Sequence, residues 1–480
     1  MSIEAHGPIL PVAPTGAEGT STFWTLNRVA DALAAHATNK LPRGPHQLGR
    51  VWTDTRSLQS GDLFVALAGE RFDAHDFIAD AVRSGSAAVV VSRLDGTKGL
   101  GVPVFLVDDT RAALGALGRY RRRAWNGPVI GVVGTNGKTS TKELIRAALD
   151  SRLEVHATQG NLNNLIGVPQ TLLAISDHAD IAVVEMGTNQ PGEIAALRAI
   201  VEPNIVVVTS IGEEHLEGLG DLQGVLREEM AACDGVAVAI VPASQPDVVS
   251  EAGKRARRVV AAGLDGGDVG VASWSLDAEG RGRLTVNGAD VTVPLRGVHN
   301  LRNATLALAV AREVGISMED AARGIARMSV PPMRSSVERI GRALLINDAY
   351  NSNPHSARAA IELLAHAGGT GGEAANRQRV AVLGTMLELG PTTPQLHDQI
   401  ARAALDANVD LIAGVGEFAA ALERVGAPAD RVVSAPDAEA IWPKLSSRLR
   451  PDAIILLKGS RGVRLERLVP LVTRWAQDAS

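Results

Sequence analysis

Cysteine is nearly missing from this chain: Cys233 stands alone among 480 residues. An intramolecular disulfide and a thiolate-cage zinc site are therefore excluded, and a reducing compartment suits the composition. Positive charge is not in excess either. Forty-eight Lys and Arg face 53 Asp and Glu, a formal net charge of −5, so no global field exists to hold a polyanion and no nucleic acid partner is expected. Long apolar runs are absent as well: IVVVTSI at 205–211 and IILL at 454–457 fall far short of the roughly 18 residues a membrane helix needs. Membrane insertion is not expected. Residues 1–22 lack a basic region followed by an apolar stretch, so they read as a disordered leader rather than a secretory signal, and the chain as cytoplasmic. No internal repeat is found.

What is present is an ordinary globular composition, 45% hydrophobic and 21% charged, long enough for about three domains at roughly 150 residues each. Between about Phe23 and Arg123, LFVAL at 63–67, AAVVV at 87–91 and VPVFLV at 102–107 alternate with helical patterns, which predicts a small α/β unit. RYRRRAWNGP at 119–128 then carries four arginines before Gly127-Pro128. Proline ends the segment, a domain boundary is placed there, and the arginines read as a solvated helix end. From Val129, VIGVVG, IAVVEMG, IVVVTSIG and VAVAIV read as buried parallel strands. The stretch 270–296 around Asn287-Gly288 predicts an antiparallel hairpin appended to that sheet. After PPMRSS at 331–336, RALLIND, VAVLG, LIAGVG and IILLKG with intervening Ala/Leu-rich helices predict a βαβ-type domain. GGTGGEAANRQ at 368–378 has the composition of a surface loop.

The sharpest feature is GVVGTNGKTSTKE at 131–143: a strand, glycines, Lys138, two hydroxyl residues, then a helix with Leu144, Ile145, Ala148 and Leu149 on one side. Glycines let backbone N–H groups turn onto phosphate oxygens, and the helix N-terminus adds positive potential. Lys138 reaches the terminal phosphates, and Thr139 or Ser140 can hold Mg²⁺. Val132 departs from the strict G-x-x-x-x-G-K-[ST] pattern. No G-x-G-x-x-G with a downstream carboxylate is found, which favours a triphosphate over a dinucleotide. Magnesium prefers hard oxygen donors. Glu185 follows the apolar strand at 181–184, where it is either a cation ligand beside the loop or a solvated strand edge. His215 in GEEHLEGLG is a second candidate, set against a structural histidine, and Glu229 in LREEMAAC a third, set against a solvated helix face.

These motifs, taken in order, resemble the Mur ligases, the ATP-dependent amide-forming enzymes of peptidoglycan synthesis. The resemblance runs through TDTRSLQSGDLFVALAGERFDAHDF at 53–77, GVVGTNGKTSTKE, QGNLNNLIGVPQTLL at 159–173 and VVEMGTNQPGEI at 183–194. It continues through HLEG at 215–218, HNLRNA at 299–304, NDAYNSNP at 347–354, GTMLELG at 384–390 and KGSRG at 458–462. NLNNLIGVP and DAYNSNP are similar to the branch that adds D-alanyl-D-alanine to UDP-N-acetylmuramoyl-tripeptide, and the D-N-P-R type motif of the lysine- and diaminopimelate-adding sibling is missing.

The resemblance implies an α/β, three-domain architecture. Residues 1–22 are the leader, 23–125 an N-terminal α/β domain for the UDP-linked substrate, and 126–332 a central ATP-binding domain with a P-loop ATPase-like parallel sheet and appended antiparallel strands. Residues 333–480 form a Rossmann-like C-terminal domain. It implies ATP and Mg²⁺, small-molecule substrates, and an acyl-phosphate intermediate; a monomer is the default. By motif, Gly134, Thr135, Asn136, Gly137, Lys138, Thr139 and Ser140 hold the ATP phosphates, with Asn300 and Asn303 by the adenine and Arg334 and Asp348 reaching the nucleotide from the third domain. Lys138, Glu185, His215 and Arg334 carry the catalysis. Thr139, Glu185 and His215 hold the metal, and Glu229, at the family's carbamylated-lysine position, is expected to ligate a second Mg²⁺ directly or through water. Thr55, Arg56, Asn163, Asn164, Tyr350, Asn351 and Asn353 are expected to contact the substrates. Met333-Arg334-Ser335-Ser336 and Thr385 depart from the family pattern. The alternatives are a ligase with a different acceptor and, from another class, a catalytically weak binding paralogue.

Overall fold

The computed structural model describes residues 23–69, 72–277, 279–367 and 376–478. The expected leader at 1–22 and most of the expected loop at 368–378 lie outside the described residues. Among the described residues the strands form four sheets. The first holds β1 (Val51–Trp52), β2 (Leu63–Val65), β3 (Ala88–Val91) and β4 (Val104–Leu106), all parallel and in sequence order. The helix Thr110–Trp125 leads out of this unit. Its arginines correct the expectation of a solvated helix end, because Arg121 and Arg122 are buried. Arg121 donates to the Ile175 carbonyl at 2.6 Å and Arg122 to the Val201 carbonyl at 3.0 Å, while Arg119 and Arg123 grip Glu202. The carbonyls at two helix ends need donors there, and the arginines supply them.

The central sheet is built from β5 (Val129–Val133), β6 (Val155–Ala157), β7 (Ile181–Glu185), β8 (Ile205–Val208), β9 (Val238–Pro242) and β10 (Val259–Ala262). Its order is β10-β9-β8-β5-β7-β6, with every pairing parallel. β5, β7, β8 and β9 are buried along their whole length, as their continuous apolar runs predict for strands covered on both faces. Strand order reverses beside β5. The loops after β5, β7 and β8 therefore diverge and leave a crevice at the carboxyl edge of the sheet, the usual ligand position in open α/β sheets.

The stretch expected to be an appended hairpin is instead a separate antiparallel sheet of β11 (Val271–Leu276), β12 (Arg281–Val286) and β13 (Ala289–Arg296). Asn287 and Gly288, both at positive φ, turn β12 into β13, as a two-residue hairpin requires. This sheet shares a core with the parallel sheet without sharing a ladder: Leu284, Val291 and Val293 pack in the same cluster as Ile130, Leu144 and Leu301. The helix Val298–Glu313, buried along most of its length, fills the space between them.

The fourth sheet contains β14 (Ser336–Ile340), β15 (Ala343–Asp348), β16 (Arg379–Gly384), β17 (Leu411–Val415), β18 (Val432–Ala435) and β19 (Ile454–Lys458), in the order β14-β15-β19-β16-β17-β18. The edge strand β14 is antiparallel, and the others are parallel. Register places Asp348 beside Lys458 at the carboxyl ends of β15 and β19. Among the described residues no helix is long and apolar enough to cross a membrane.

Candidate active site

The carboxyl edges of the central and fourth sheets face one cleft of about 870 Å³. On the central side, β5 ends in Gly134 and the helix Lys138–Leu149 begins after Gly137. Both glycines adopt positive φ, and neither tolerates a side chain: a Cβ on Gly134 would lie 2.5 Å from Thr209 Oγ1, and one on Gly137 would lie 2.8 Å from the Asn303 amide. Asn303, on the helix Val298–Glu313, thus closes against the loop, and its Nδ2 donates to Asn300 Oδ1 at 3.1 Å. Lys138 Nζ donates to the Gly134 carbonyl at 2.5 Å and the Thr135 carbonyl at 3.2 Å, so the loop's own backbone holds it at the cleft wall. Burial works against its charge, but Glu214, Glu229 and Glu185 outweigh burial and hold the ammonium above its ordinary range.

Glu185 ends β7 as a buried side chain. Its Oε1 accepts from Thr139 Oγ1 at 3.3 Å and Asn163 Nδ2 at 2.9 Å, while its buried Oε2 has no partner among the described residues. A hydroxyl and an orphaned carboxylate oxygen beside a phosphate loop are the donor set a hard cation takes, completed by water and phosphate oxygens. Among the described residues no group of three or more His, Cys, Asp or Glu side chains is gathered to hold an ion by itself. His215 lies at the cleft with its Nδ1 on Glu388 Oε2 of the fourth-sheet region and its Nε2 at 3.6 Å from Glu214 Oε1. Burial disfavours the imidazolium, yet the Glu388 hydrogen bond and the Glu214 charge hold His215 above its ordinary value.

Glu229 is the residue whose placement differs most from expectation. It is buried on the helix Leu222–Met230, and its Oε2 accepts from the Gly134 N–H at 2.8 Å, beneath the loop and outside the cleft lining. Neither a solvated helix face nor a cation ligand on the cleft wall describes that position. Burial pushes its carboxyl up to about 7, against the pull of Lys138 and the Gly134 N–H. Between the unfolded value near 4.5 and 7, the folded chain holds a proton that the unfolded chain has released. This stabilises the fold at low pH and is lost as pH rises through 7. Glu229→Gln keeps an acceptor for Gly134, so it should melt later than the parent at pH 8, by on the order of 3 kcal/mol, and equally at pH 4.5 and below. Scanning calorimetry at the two pH values checks this.

From the fourth-sheet side come Arg334, Asp348, Tyr350, Asn351, Asn353 and Lys458, all lining the cleft. Lys458 is buried, pairs with Asp348 at 2.9 Å and donates to the Asn351 carbonyl at 2.6 Å. Arg334 lies over the Tyr350 ring at 4.2 Å, a stacking for which a planar guanidinium is suited. Asp348 accepts from the Ser335 N–H at 2.8 Å and from the Ser335 hydroxyl at 3.3 Å, so the serine side chain helps to orient that carboxylate. Asn353 and Asn136 exchange amide hydrogen bonds of 2.9 and 3.2 Å, which tie the third domain to the phosphate loop. Asn351 Nδ2 reaches Glu214 Oε1 at 3.4 Å.

Thr135, Asn136, Gly137, Lys138, Thr139, Ser140, Asn163, Asn164, Glu185, His215, Asn300 and Asn303 all line the same cleft. Thr55 and Arg56 do not: they sit in a short 3₁₀ turn whose arginine pairs with Asp54 at the surface. Thr385 also lies away from the cleft, where its Oγ1 accepts from the Glu417 N–H at 2.9 Å. Residue-by-residue reading missed Glu214, Glu388 and Lys458, although each stands inside a quoted motif. It also missed the 262–266 wall after β10, whose AAGLDGG composition reads only as a turn.

Three family models match the chain: "Mur ligase family, catalytic domain" over 49–157, "Mur ligase middle domain" over 132–311, and "Mur ligase, glutamate ligase domain" over 333–461. A Bacillus subtilis relative named UDP-N-acetylmuramoyl-tripeptide–D-alanyl-D-alanine ligase is 35% identical over 429 residues, 87% of this chain and 92% of that one. A crystal structure of MurF from Acinetobacter baumannii superposes with a TM-score of 0.85 at 31% identity, covering 94% and 99% of the two chains. A MurF ligase from Thermotoga maritima, solved in complex with ADP, gives 0.79 at 26% identity over 90% and 98%. Loop, cleft and fourth sheet thus coincide with matches that run across nearly the whole sequence, and the chain belongs to the Mur ligase family.

Proposed function

We propose that this chain is the ATP-dependent ligase that joins D-alanyl-D-alanine to UDP-N-acetylmuramoyl-tripeptide, yielding UDP-N-acetylmuramoyl-pentapeptide for peptidoglycan. The observation that carries the reading is the meeting of a phosphate loop and the carboxyl ends of a second sheet across one cleft, in a chain 35% identical to a ligase of that name. The division at 23–125, 126–332 and 333–480 assigns the UDP-linked substrate, ATP and acceptor to the three parts in turn, with Thr55 and Arg56 serving the first away from the cleft.

Two anions must meet in the first step. A carboxylate oxygen of the tripeptide attacks the γ-phosphorus, the O–P bond forms, the bond to the β,γ-bridging oxygen breaks, and ADP leaves. Lys138 is placed to leave its loop carbonyls for the phosphate oxygens, and Arg334 supplies a second cation from the third domain, which offsets the repulsion. Thr139 and Glu185 would hold Mg²⁺, with His215 beside them; when bound, the ion neutralises phosphate charge and orients the oxygens. Glu229 acts from below the loop by fixing the Gly134 N–H. Asn300 and Asn303 hold the adenosine side, and Asp348 orients the nucleotide from the third domain. In the second step the dipeptide amine attacks the acyl carbon, the C–N bond forms, the C–O bond to phosphate breaks, and the ammonium proton is lost. Asn163, Asn164, Tyr350, Asn351 and Asn353 orient the two peptides. The Asn136–Asn353 pair keeps the third domain over the loop, so water is kept from the acyl phosphate. The ligase acts as a cytoplasmic monomer, where ATP and the UDP-linked substrate are at hand.

The test is phosphate release by the purified protein with Mg²⁺-ATP and UDP-muramoyl-tripeptide, with and without D-alanyl-D-alanine, following the UDP-linked product by mass. Release that requires the dipeptide, together with the pentapeptide mass, is the expected result. Product from a different amino acid instead would move the chain to a sibling activity.

A further inference from the structure

We propose that Glu388 is a positioning residue of the ligase reaction: reaching across from the third domain, it orients the His215 ring and, through Glu214, the Lys138 ammonium. The proposal rests on the ligase reading above. A continuous chain of polar contacts carries it. Glu388 Oε2 meets His215 Nδ1. His215 Nε2 stands 3.6 Å from Glu214 Oε1, and Glu214 Oε2 stands 3.8 Å from Lys138 Nζ. Asn351, also of the third domain, donates to the same Glu214 at 3.4 Å. The backbone repeats the contact, since the Glu217 N–H donates to the Glu388 carbonyl at 3.1 Å.

Both ends of the central link are strained. Glu388 has φ 63 and His215 has φ 52, left-handed values that suit glycine better than a side chain with a Cβ. Such strain persists where the surroundings hold a residue in place, and it gathers at functional sites. A structural role accounts poorly for it. The Glu388 side chain is 51% exposed, so it fills no core, and an exposed ion pair adds little to stability. Among the described residues, the hydrogen-bond partner of its side chain is the histidine that faces the phosphate loop. A carboxylate behind a histidine fixes the ring's tautomer and direction, and with it what the far nitrogen presents. Because Glu388 and Asn351 belong to one domain and His215, Glu214 and Lys138 to another, the arrangement is complete only when the two domains are closed.

The experiment compares Glu388→Ala, Glu388→Gln, His215→Ala and the Glu388→Ala/His215→Ala pair in the phosphate-release assay above, with Mg²⁺-ADP binding followed by calorimetry. Glu388→Ala should lower kcat by about 30-fold and weaken Mg²⁺-ADP binding several-fold, with KM for the UDP-linked substrate unchanged. Glu388→Gln, which keeps an acceptor for the ring N–H, should recover most of both. The double variant should be no slower than His215→Ala alone, since one pathway is cut twice. The proposal is overturned if Glu388→Ala turns over like the parent, if Gln is as poor as Ala, or if the two losses multiply. Melting temperatures within about 2 °C of the parent separate these outcomes from unfolding. Turnover by the parent chain in the same assay reports on the ligase reading separately.

Discussion

Lys138→Met should lower ligase turnover by about 10³-fold, a loss of roughly 4 kcal/mol of transition-state stabilisation. Methionine keeps the length of the side chain and removes the one cation held by the loop's own carbonyls, Gly134 and Thr135. Three carboxylates, Glu214, Glu229 and Glu185, act on that ammonium, so the substitution also leaves buried negative charge uncompensated. The variant should therefore melt earlier than the parent at pH 8, by on the order of 2–4 kcal/mol, with part of the loss recovered at lower pH as the Glu229 carboxyl takes up a proton. Phosphate release measures the first effect and calorimetry at two pH values the second. If Lys138→Met loses stability at pH 8 yet turns over normally, the lysine is a structural counter-ion and its catalytic role is wrong.

Glu185→Gln isolates the charge of the second residue. Its Oε1 contacts with Thr139 and Asn163 can be kept by a carboxamide oxygen, while the orphaned Oε2 becomes an amide nitrogen unable to ligate a cation. The Mg²⁺ concentration for half-maximal activity should rise by about 10²-fold, with the fold unchanged by circular dichroism. An unchanged Mg²⁺ profile would place the ion elsewhere. The effect should be separable from that at Glu229, whose carboxyl lies below the loop on the Gly134 N–H and answers to pH because it is buried.

Much of the site is legible along the chain because its chemistry is local. Gly134 and Gly137 permit positive φ, and Lys138 and Thr139 follow at the start of a helix; these need only neighbours in sequence. Glu185 is legible for the same reason, as the last residue of an apolar strand. Edge strands were harder. β6 and β10 are short and partly exposed, so they lack the continuous apolar run that marked β5, β7, β8 and β9. Helix faces were hardest: Glu228 and Glu229 are adjacent acids on a polar-looking turn, yet both are buried. Glu228 accepts from the N–H groups of Gly192 and Ile194, and Glu229 from that of Gly134. No periodicity reveals that the partner of an acid is a backbone N–H more than thirty residues away.

The amino-acid sequence by itself determined the buried inner strands β5, β7, β8 and β9, the phosphate loop and the order of motifs that marks the family, since each depends on residue type and near spacing. The tertiary structure alone decided that Arg121 and Arg122 cap helix ends and that the 270–296 stretch forms its own sheet. It also decided that Glu388, Asn351 and Asn353 meet His215, Glu214 and Asn136 from another domain. Those contacts join residues separated by 137 to 217 positions. Their partners are chosen by how sheets and helices pack, a choice made only when the separate apolar faces are buried together.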